Sequence, residues 1–459
     1  GLFGHVDGSG IFENLTLDGF NITGSGNVGS LIGLIEENAS SHLTFINIVV
    51  TNSVLFTNYD TGGLIGDLWS NATLQNITTS IIIINSDQAG GLIGQVNGSS
   101  VSTLNLEDVA SFGKIGSDTD RVNERGGVIG NINANGGLKV TFDTAVNHMD
   151  VYGSNAIGGF IGYIEELDDV KITNSYNYGK IDSNEDNVGG FVGQNDNTLT
   201  IENSENKGSI TGDNDLGGFV GDNNATLSIQ HGLNSGNVSG DNDDVGGFVG
   251  QNDNTLTIKN SENKGSITGD NDLGGFVGDN NATLSIQHGL NSGNISGDRD
   301  IGGFVGDTDS SEDSGSTLII FNSVNHGNVL GESDVGGFVG ENSTNISLSA
   351  ITNRGAISGQ QAIGGVIGRS LKTEITQALN YGIITSQNAT TFSSIGGLIG
   401  FLVSDSLTLS KSGNFGPING NAGGVGGLIG RVSETNQLRI IESFNSGPVT
   451  QDAGTEVVR

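Results

Sequence analysis

Short apolar segments alternate with polar residues along the whole chain, and this pattern predicts β-strands. Leu227 and Ile229 alternate with hydroxyl and amide side chains, as do Leu199 and Ile201 in the preceding copy of the same pattern. Such period-2 alternation over three to six residues is typical of strands. No window shows the 3.6-residue period of a helix, and glycine every few residues disfavours helix further.

The apolar segments belong to a repeat that fills the chain. A string of the form G-G-[FLV]-[VI]-G recurs fifteen times, and its spacing returns repeatedly to 28 residues with longer intervals of up to 36. A fixed unit of about 28–30 residues with loop insertions explains this distribution, and residues 309–315 are one such insertion. The closing glycines of the motif are Gly4, Gly33, Gly66, Gly94, Gly130, Gly162, Gly193, Gly221, Gly250, Gly278, Gly306, Gly340, Gly368, Gly400 and Gly430.

Three short strands and three turns in about 28 residues predict one coil of a parallel β-solenoid. We therefore expect an all-β chain of about fifteen coils, with Leu199, Ile201 and Ile210 in the core. A β-propeller is the alternative, but its blades usually need about 40 or more residues. We expect residues 1–459 to form one continuous array. Because the first motif copy starts at its second half, the array is expected to be a segment of a longer chain.

Four motif copies read G-L-I-G, closing at Gly66, Gly94, Gly400 and Gly430. This pattern resembles the GLUG motif, a glycine-rich repeat of surface and secreted proteins, some of them adhesin-like. The central copies differ, because they have Phe-Val in place of Leu-Ile. The resemblance runs through the repeats of the whole chain and implies an exposed, non-catalytic region without a particular ligand.

Composition excludes several classes of protein. The chain has 78 Gly but only 2 Pro, and it has no Cys, so collagen, disulfide scaffolds and thiolate metal sites are excluded. Its net charge of -34 disfavours nucleic acid as a partner, since such a surface repels phosphate. No apolar run is long enough for membrane insertion within this segment.

An asparagine two residues before a glycine recurs at one position of the repeat. Ten copies in register predict an Asn ladder at one corner, where side-chain amides bond between neighbouring coils. We predict a structural role for this ladder. Its members are Asn177, Asn206, Asn234, Asn263, Asn291, Asn325, Asn353, Asn380, Asn414 and Asn445.

Phenylalanine inside the glycine motif allows two interpretations. A glycine bulge would turn these rings into the core, whereas strict alternation would expose them as an interface strip for a neighbouring chain. The ladder comprises Phe160, Phe191, Phe219, Phe248, Phe276, Phe304 and Phe338.

Acidic residues precede the glycine motif in the central coils. A solvated acidic edge is one interpretation, and weak Ca²⁺ sites are the other, since Ca²⁺ prefers carboxylate and carbonyl oxygens. No RTX or EF-hand loop accompanies them, so the sequence predicts no obligatory cofactor. None of the six His stands in an H-E-x-x-H or G-x-S-x-G context, so the sequence predicts no catalytic residue. The carboxylates considered for Ca²⁺ are Asp213, Asp215, Asp241, Asp243, Asp270, Asp272, Asp298 and Asp300.

Thirteen sequons would be N-glycosylation acceptors if the chain came from a secreting eukaryote. They are Asn14, Asn21, Asn38, Asn71, Asn76, Asn97, Asn224, Asn237, Asn281, Asn294, Asn342, Asn345 and Asn388.

These features predict a non-catalytic structural or adhesive solenoid outside the cell or at its surface, with capacity for self-association into filaments. Other surface proteins or glycans are the expected partners. A glycan- or ice-binding solenoid is one alternative, although the Thr and Ser column needed for ice is interrupted by Lys171 and Glu374. A polysaccharide-active β-helix enzyme is the other, but no carboxylate pair stands out among 51 acids.

Overall fold

A computed structural model describes residues 1–36, 41–98, 102–133, 137–165, 169–308, 316–387, 393–421, 423–433 and 435–451. Strands account for all the regular structure in these ranges, and the strands pair in parallel. The chain divides into two compact units, Gly1–Asn237 and Val238–Arg459. Each is described by itself.

The described residues of the first unit form thirty strands in four groups. The glycine-motif strands are Val28–Gly29, Thr61–Gly62, Ala89–Gly90, Arg125–Gly126, Ile157–Gly158, Val188–Gly189 and Leu216–Gly217. The strands at the next position of the repeat are Phe3–Val6, Ile32–Ile35, Ile65–Leu68, Ile93–Asn97, Ile129–Asn133, Ile161–Ile164, Val192–Asn195 and Val220–Asn223. The next are Gly10–Asp18, His42–Phe56, Asn71–Ile84, Thr103–Ile115, Lys139–Asp143, Asp169–Thr173, Leu199–Glu202 and Leu227–Gln230. The last, around the Asn corner, are Asn21–Thr23, Val146–Gly153, Tyr176–Asn177, Ile181–Ser183, Glu205–Asn206, Ile210–Gly212 and Leu233–Asn234.

Thirty-one strands are described in the second unit, and they repeat these groups. Its glycine-motif strands are Val245–Gly246, Asn271–Gly274, Arg299–Gly302, Ser333–Gly336, Gln361–Gly364, Ser394–Gly396 and Gly424–Gly426. They are followed by Val249–Asn252, Val277–Asn280, Val305–Asp307, Val339–Asn353, Ile367–Asn380, Ile399–Ser410 and Ile429–Val432. The next group is Leu256–Lys259, Leu284–Gln287, Thr317–Phe321 and Thr435–Ile441. The corner strands are Glu262–Asn263, Leu290–Asn291, Val324–Asn325, Gly413–Asn414, Phe444–Asn445, Val238–Gly240, Ile267–Thr268, Ile295–Ser296, Val329–Leu330, Ile357–Gly359, Ile384–Ser386, Ile418–Gly420 and Val449–Gln451.

Equivalent residues of successive coils pair directly, which confirms the predicted parallel β-solenoid. In the first unit Leu199 pairs with Leu227 and Ile201 with Ile229, so identical side chains stack in columns. These four residues are at most 1 % exposed. A coil cannot bury its apolar side alone, and stacking both completes the backbone ladder and covers that side. Leu199, Ile201 and Ile210 lie in the core as predicted.

The coils contain more and shorter strands than expected. Each unit has seven glycine-motif strands among its described residues, so the chain has about fourteen turns in all, close to the predicted fifteen. Each central coil has five short strands instead of three. A bend inside the glycine motif separates two strands, and the Asn corner adds a two-residue strand of its own.

The bend inside the motif explains its glycines and its aromatic residue. Between Leu216–Gly217 and Val220–Asn223 the chain turns, so strict alternation fails and Phe219 and Val220 both point inward with no exposed surface. A Cβ on the middle glycine of the preceding copy, Gly190, would lie 2.2 Å from the Gly218 carbonyl oxygen. Only glycine permits this approach between coils.

A second kind of corner follows the Leu/Ile strand, where a residue adopts the left-handed conformation in coil after coil. In the central coils of the first unit these residues are Asn174, Asn203 and His231, with φ of 51°, 51° and 52°. Asn tolerates this conformation better than most residues. The position is not occupied by glycine, so sequence reasoning did not detect the corner.

Candidate functional site

The predicted Asn ladder forms a hydrogen-bonded column inside each unit. In the first unit each Nδ2 donates to the next Oδ1, from Asn147 through Asn177 and Asn206 to Asn234, at 2.8, 2.8 and 2.9 Å. In the second unit the same bonds, at 2.7–2.9 Å, join Asn263, Asn291, Asn325, Asn353, Asn380, Asn414 and Asn445. The predicted ladder is therefore present, and Asn147 extends it. Sequence reasoning missed Asn147 because Met149 replaces the usual glycine.

The ladder is buried against glycines on two sides. Asn206 has no exposed surface, and a Cβ on Gly190 would lie 2.7 Å from its Cγ. On the other side, a Cβ on Gly236 would lie 2.8 Å from Asn206 Nδ2. The glycine motif and the Asn corner are thus two halves of one interior layer, which is why both repeat together.

A second buried asparagine pair occurs in each unit. Asn195 Nδ2 donates to Asn223 Oδ1 at 2.8 Å, and Asn252 Nδ2 donates to Asn280 Oδ1 at 2.7 Å. All four residues have no exposed surface. The sequence signal is an Asn two residues after the closing glycine of the motif, which the abundance of Asn in these loops obscured.

The phenylalanine ladder lies in the core. All seven predicted rings have no exposed surface, so the alternative of an exposed interface strip is wrong. Phe160 stacks on Phe191 at 4.8 Å in the first unit, and Phe276 stacks on Phe304 at 4.6 Å in the second. The bend in the glycine motif turns the rings inward, as the bulge interpretation predicted.

An aromatic stack that the sequence analysis did not single out occupies the surface beside the Asn corner. In the first unit His148 lies between Phe112 and Tyr178, with ring centroids 4.7 and 4.6 Å apart. Lys207 Nζ lies 4.7 Å from the centroid of Tyr178 and covers that ring. Because the rings stack on one another, each covers the faces of its neighbours.

Among the described residues, one group of three carboxylates lies close enough together to hold a metal ion. Oxygens of Asp300, Asp334 and Glu341 lie within 4.8 Å of one another in the second unit. Asp300 is one of the residues predicted for Ca²⁺, and the other seven, Asp213, Asp215, Asp241, Asp243, Asp270, Asp272 and Asp298, are not part of this group. Carboxylate oxygens at this separation suit a hard divalent cation, although acidic groups also cluster without one.

Burial makes two side chains of this group, Asp300 and Asp334, costly to ionise. Burial raises the pKa of Asp300 to about 8. The nearby negative charges of Asp334, Asp272 and Glu341 raise this pKa further. The pKa of Asp334 is also raised by burial, against the hydrogen bond that Ser333 donates to it. Asp300 Oδ1 is buried without a hydrogen-bond partner, which fits a protonated, neutral carboxyl better than an anion.

Because the pKa of Asp300 is raised, we expect the free energy of unfolding to fall as pH rises. Because its folded pKa exceeds the unfolded value of 3.8, the folded state binds the extra proton and its advantage disappears as pH rises from about 4 to 8. Allowing for partial exposure, we expect about 2–3 kcal/mol less stability at pH 9 than at pH 5 from this group. Asp300→Asn should flatten the dependence of Tm on pH, measured in EDTA.

The exposed Asp298→Asn provides the matched control, and its profile should follow the wild type. An Asp300→Asn profile as steep as the wild type would contradict the assignment. Repeating the wild-type melt with and without Ca²⁺ at pH 7.5 tests the predicted calcium sites, because bound cation should raise Tm.

The sequons differ in accessibility. Asn71 and Asn342 are 8 % and 0 % exposed, and their side-chain amides bond to Ser41 and Thr344 carbonyls, so the folded chain cannot carry glycan at either. Asn38 and Asn388 lie outside the described residues. Partly buried are Asn97, Asn224 and Asn281, and exposed are Asn14, Asn21, Asn76, Asn237, Asn294 and Asn345.

Comparisons of the chain with protein-family models, with curated proteins and with solved structures gave no match. In the parts of the chain that the structure describes, no helix has the length and hydropathy needed to cross a membrane.

Proposed function

We propose that this chain is a non-catalytic structural or adhesive element that acts outside the cell or at its surface. The observation that carries the proposal is that the repeated Asn and Phe side chains hold neighbouring coils together. The side chains of the Asn ladder and of the Phe ladder are used in hydrogen bonding and packing between coils. A chain whose most repeated residues hold its own backbone in place is suited to mechanical or display roles.

Three further features support this proposal. The resemblance of the repeats to the GLUG motif points to surface and secreted proteins. The net charge of -34 keeps a large surface soluble. Six sequon asparagines of the described chain are exposed, so glycan could be carried without disturbing the interior.

The location is tested by antibody labelling of intact and permeabilised source cells. We expect full signal on intact cells and its removal by external protease, because the proposal places the chain outside the membrane. An antibody to a cytoplasmic protein of the same cells provides the control and should label only permeabilised cells. Signal from this chain that appears only after permeabilisation would contradict the proposal.

The structural or adhesive role is tested on the purified chain. We expect ordered filaments in negative-stain images or retention on glycan- or protein-coated surfaces, since self-association and adhesion are the two forms of the proposed role. Heat-denatured chain is the control. A folded chain that stays monomeric, binds none of these surfaces and degrades a polysaccharide would favour the enzyme alternative.

A further inference from the structure

The chain's single tryptophan departs from the repeat in which it stands. Trp69 directly follows the strand Ile65–Leu68, and its backbone N–H donates to the Ile35 carbonyl of the preceding coil. The corresponding positions of the other coils in the first unit are polar throughout: Asp7, Glu36, Asn97, Asn133, Glu165, Asp196 and Asn224. The repeat therefore does not require an aromatic residue here.

Trp69 lines an open hollow of about 400 Å³ on the first unit. The other lining residues are Asn27, Leu34, Glu36 and Asp67. This volume lies within the ~300–1,000 Å³ range of small-molecule sites. The lining combines one indole and one aliphatic side chain with an amide and two carboxylates.

The indole is held in position by a buried carboxylate. Trp69 Nε1 donates to Asp67 Oδ2 at 2.7 Å, and Asn27 Nδ2 donates to the same oxygen at 2.9 Å. Asn97 Nδ2 donates to Asp67 Oδ1 at 3.0 Å. Asp67 is only 4 % exposed, so it serves as a fixed acceptor that orients these three side chains. A ligand would meet a pre-organised ring, which lowers the entropic cost of binding.

Glu36 supplies the accessible hydrogen-bonding group. Its side chain is 52 % exposed, and one of its oxygens lies 3.2 Å from Nε2 of His5. A carboxylate has about four acceptor sites, so Glu36 retains capacity for ligand hydroxyl donors. Trp69 and Leu34 add apolar surface beside it.

We propose that this hollow binds a neutral pyranose unit of a glycan. A pyranose has an apolar C–H face that packs on an aromatic ring, and hydroxyl groups at its edge that donate to carboxylate and amide oxygens. The two carboxylates and the net charge of -34 disfavour uronates and phosphates. A quaternary ammonium is less well matched, since cages for that group use several aromatic walls and this lining has one. The site gives the adhesive form of the proposed function a ligand class and rests on that form, whereas the structural form does not depend on it.

The single tryptophan makes the site directly observable. Indole fluorescence of the whole chain reports Trp69 alone. We would titrate the chain with glucose, galactose, mannose, N-acetylglucosamine and their short oligomers, and with galacturonate and choline for comparison. At least one neutral sugar is expected to shift the emission saturably. No response to any neutral sugar, or a response to choline or galacturonate alone, would overturn the proposal.

Variants separate binding from folding. Glu36→Gln keeps the reporter and should weaken sugar binding about tenfold, because the neutral amide oxygen is a weaker acceptor for ligand hydroxyls than the carboxylate. Trp69→Ala should abolish retention of the chain on a resin bearing the sugar, whereas Phe112→Ala, an exposed ring outside the hollow, should leave it unchanged. Unfolding melts establish that each variant folds. Folded Trp69→Ala with wild-type retention would refute the site.

Discussion

Replacing Phe276 with alanine is expected to lower the free energy of unfolding of the second unit by about 3–5 kcal/mol, the usual cost of a Phe-to-Ala cavity. Phe276 has no exposed surface and stacks between Phe248 and Phe304 at 4.8 and 4.6 Å. Its loss therefore removes contacts in both directions along the column. Denaturant unfolding followed by circular dichroism measures the effect.

Phe321→Ala is the matched control, because Phe321 lies in the same unit and is 43 % exposed. We expect it to change stability by less than about 1 kcal/mol. Sedimentation of both variants should show the association state of the wild type. A Phe276→Ala chain of unchanged stability but altered association would restore the interface interpretation of these rings.

Replacing Asn177 with alanine is expected to cost about 3–5 kcal/mol in the first unit, from a cavity and from lost buried hydrogen bonds. Asn177 accepts from Asn147 Nδ2 and donates to Asn206 Oδ1, both at 2.8 Å. Its Oδ1 also accepts from the N–H of Gly179 at 3.2 Å. Alanine would leave polar atoms of two neighbouring coils buried without these partners. Thermal and denaturant unfolding measure the loss.

Asn184→Ala serves as the control, since Asn184 is exposed and its side-chain Oδ1 accepts from Ser154 Oγ at the surface. We expect its effect to stay within about 0.5 kcal/mol. Asn177→Asp is a sharper variant, because a carboxylate has no N–H for the next coil. It should be as destabilising as alanine at pH 7. If both Asn177 variants unfolded like the wild type, the ladder would have no structural role.

The repeat made the fold and the Asn ladder predictable. A spacing that returns to 28 residues fixes which residues stack, so Asn206 and Asn234 could be aligned without coordinates. The direction of Phe219 could not be assigned, because Leu-Gly-Gly-Phe-Val-Gly satisfies alternation with either face inward. A bend inside the motif decides it, and that bend depends on the close approach of equivalent glycines in neighbouring coils, such as Gly190 and Gly218.

Features formed between columns were harder to predict than features within them. Asp300 and Asp334 precede the glycine motif, whereas Glu341 follows it, and only the turn of the motif brings them together. The Trp69 hollow was missed for a different reason. A search for periodicity detects residues that recur at the same position of the repeat, and the single tryptophan of the chain does not recur.

The Asn ladder has one more consequence, which concerns polarity. In both units each described bond between ladder amides runs from Nδ2 to the Oδ1 of the carboxyl-terminal neighbour, so the amides form a one-way chain of donors and acceptors. In the first unit Ser111 Oγ donates to Asn147 Oδ1 and closes the acceptor end at 2.9 Å. A coil joined after the ladder must offer an acceptor, and a coil joined before it must offer a donor. Tandem copies can therefore be added in register head to tail, while an inverted coil would set two donors or two acceptors against each other.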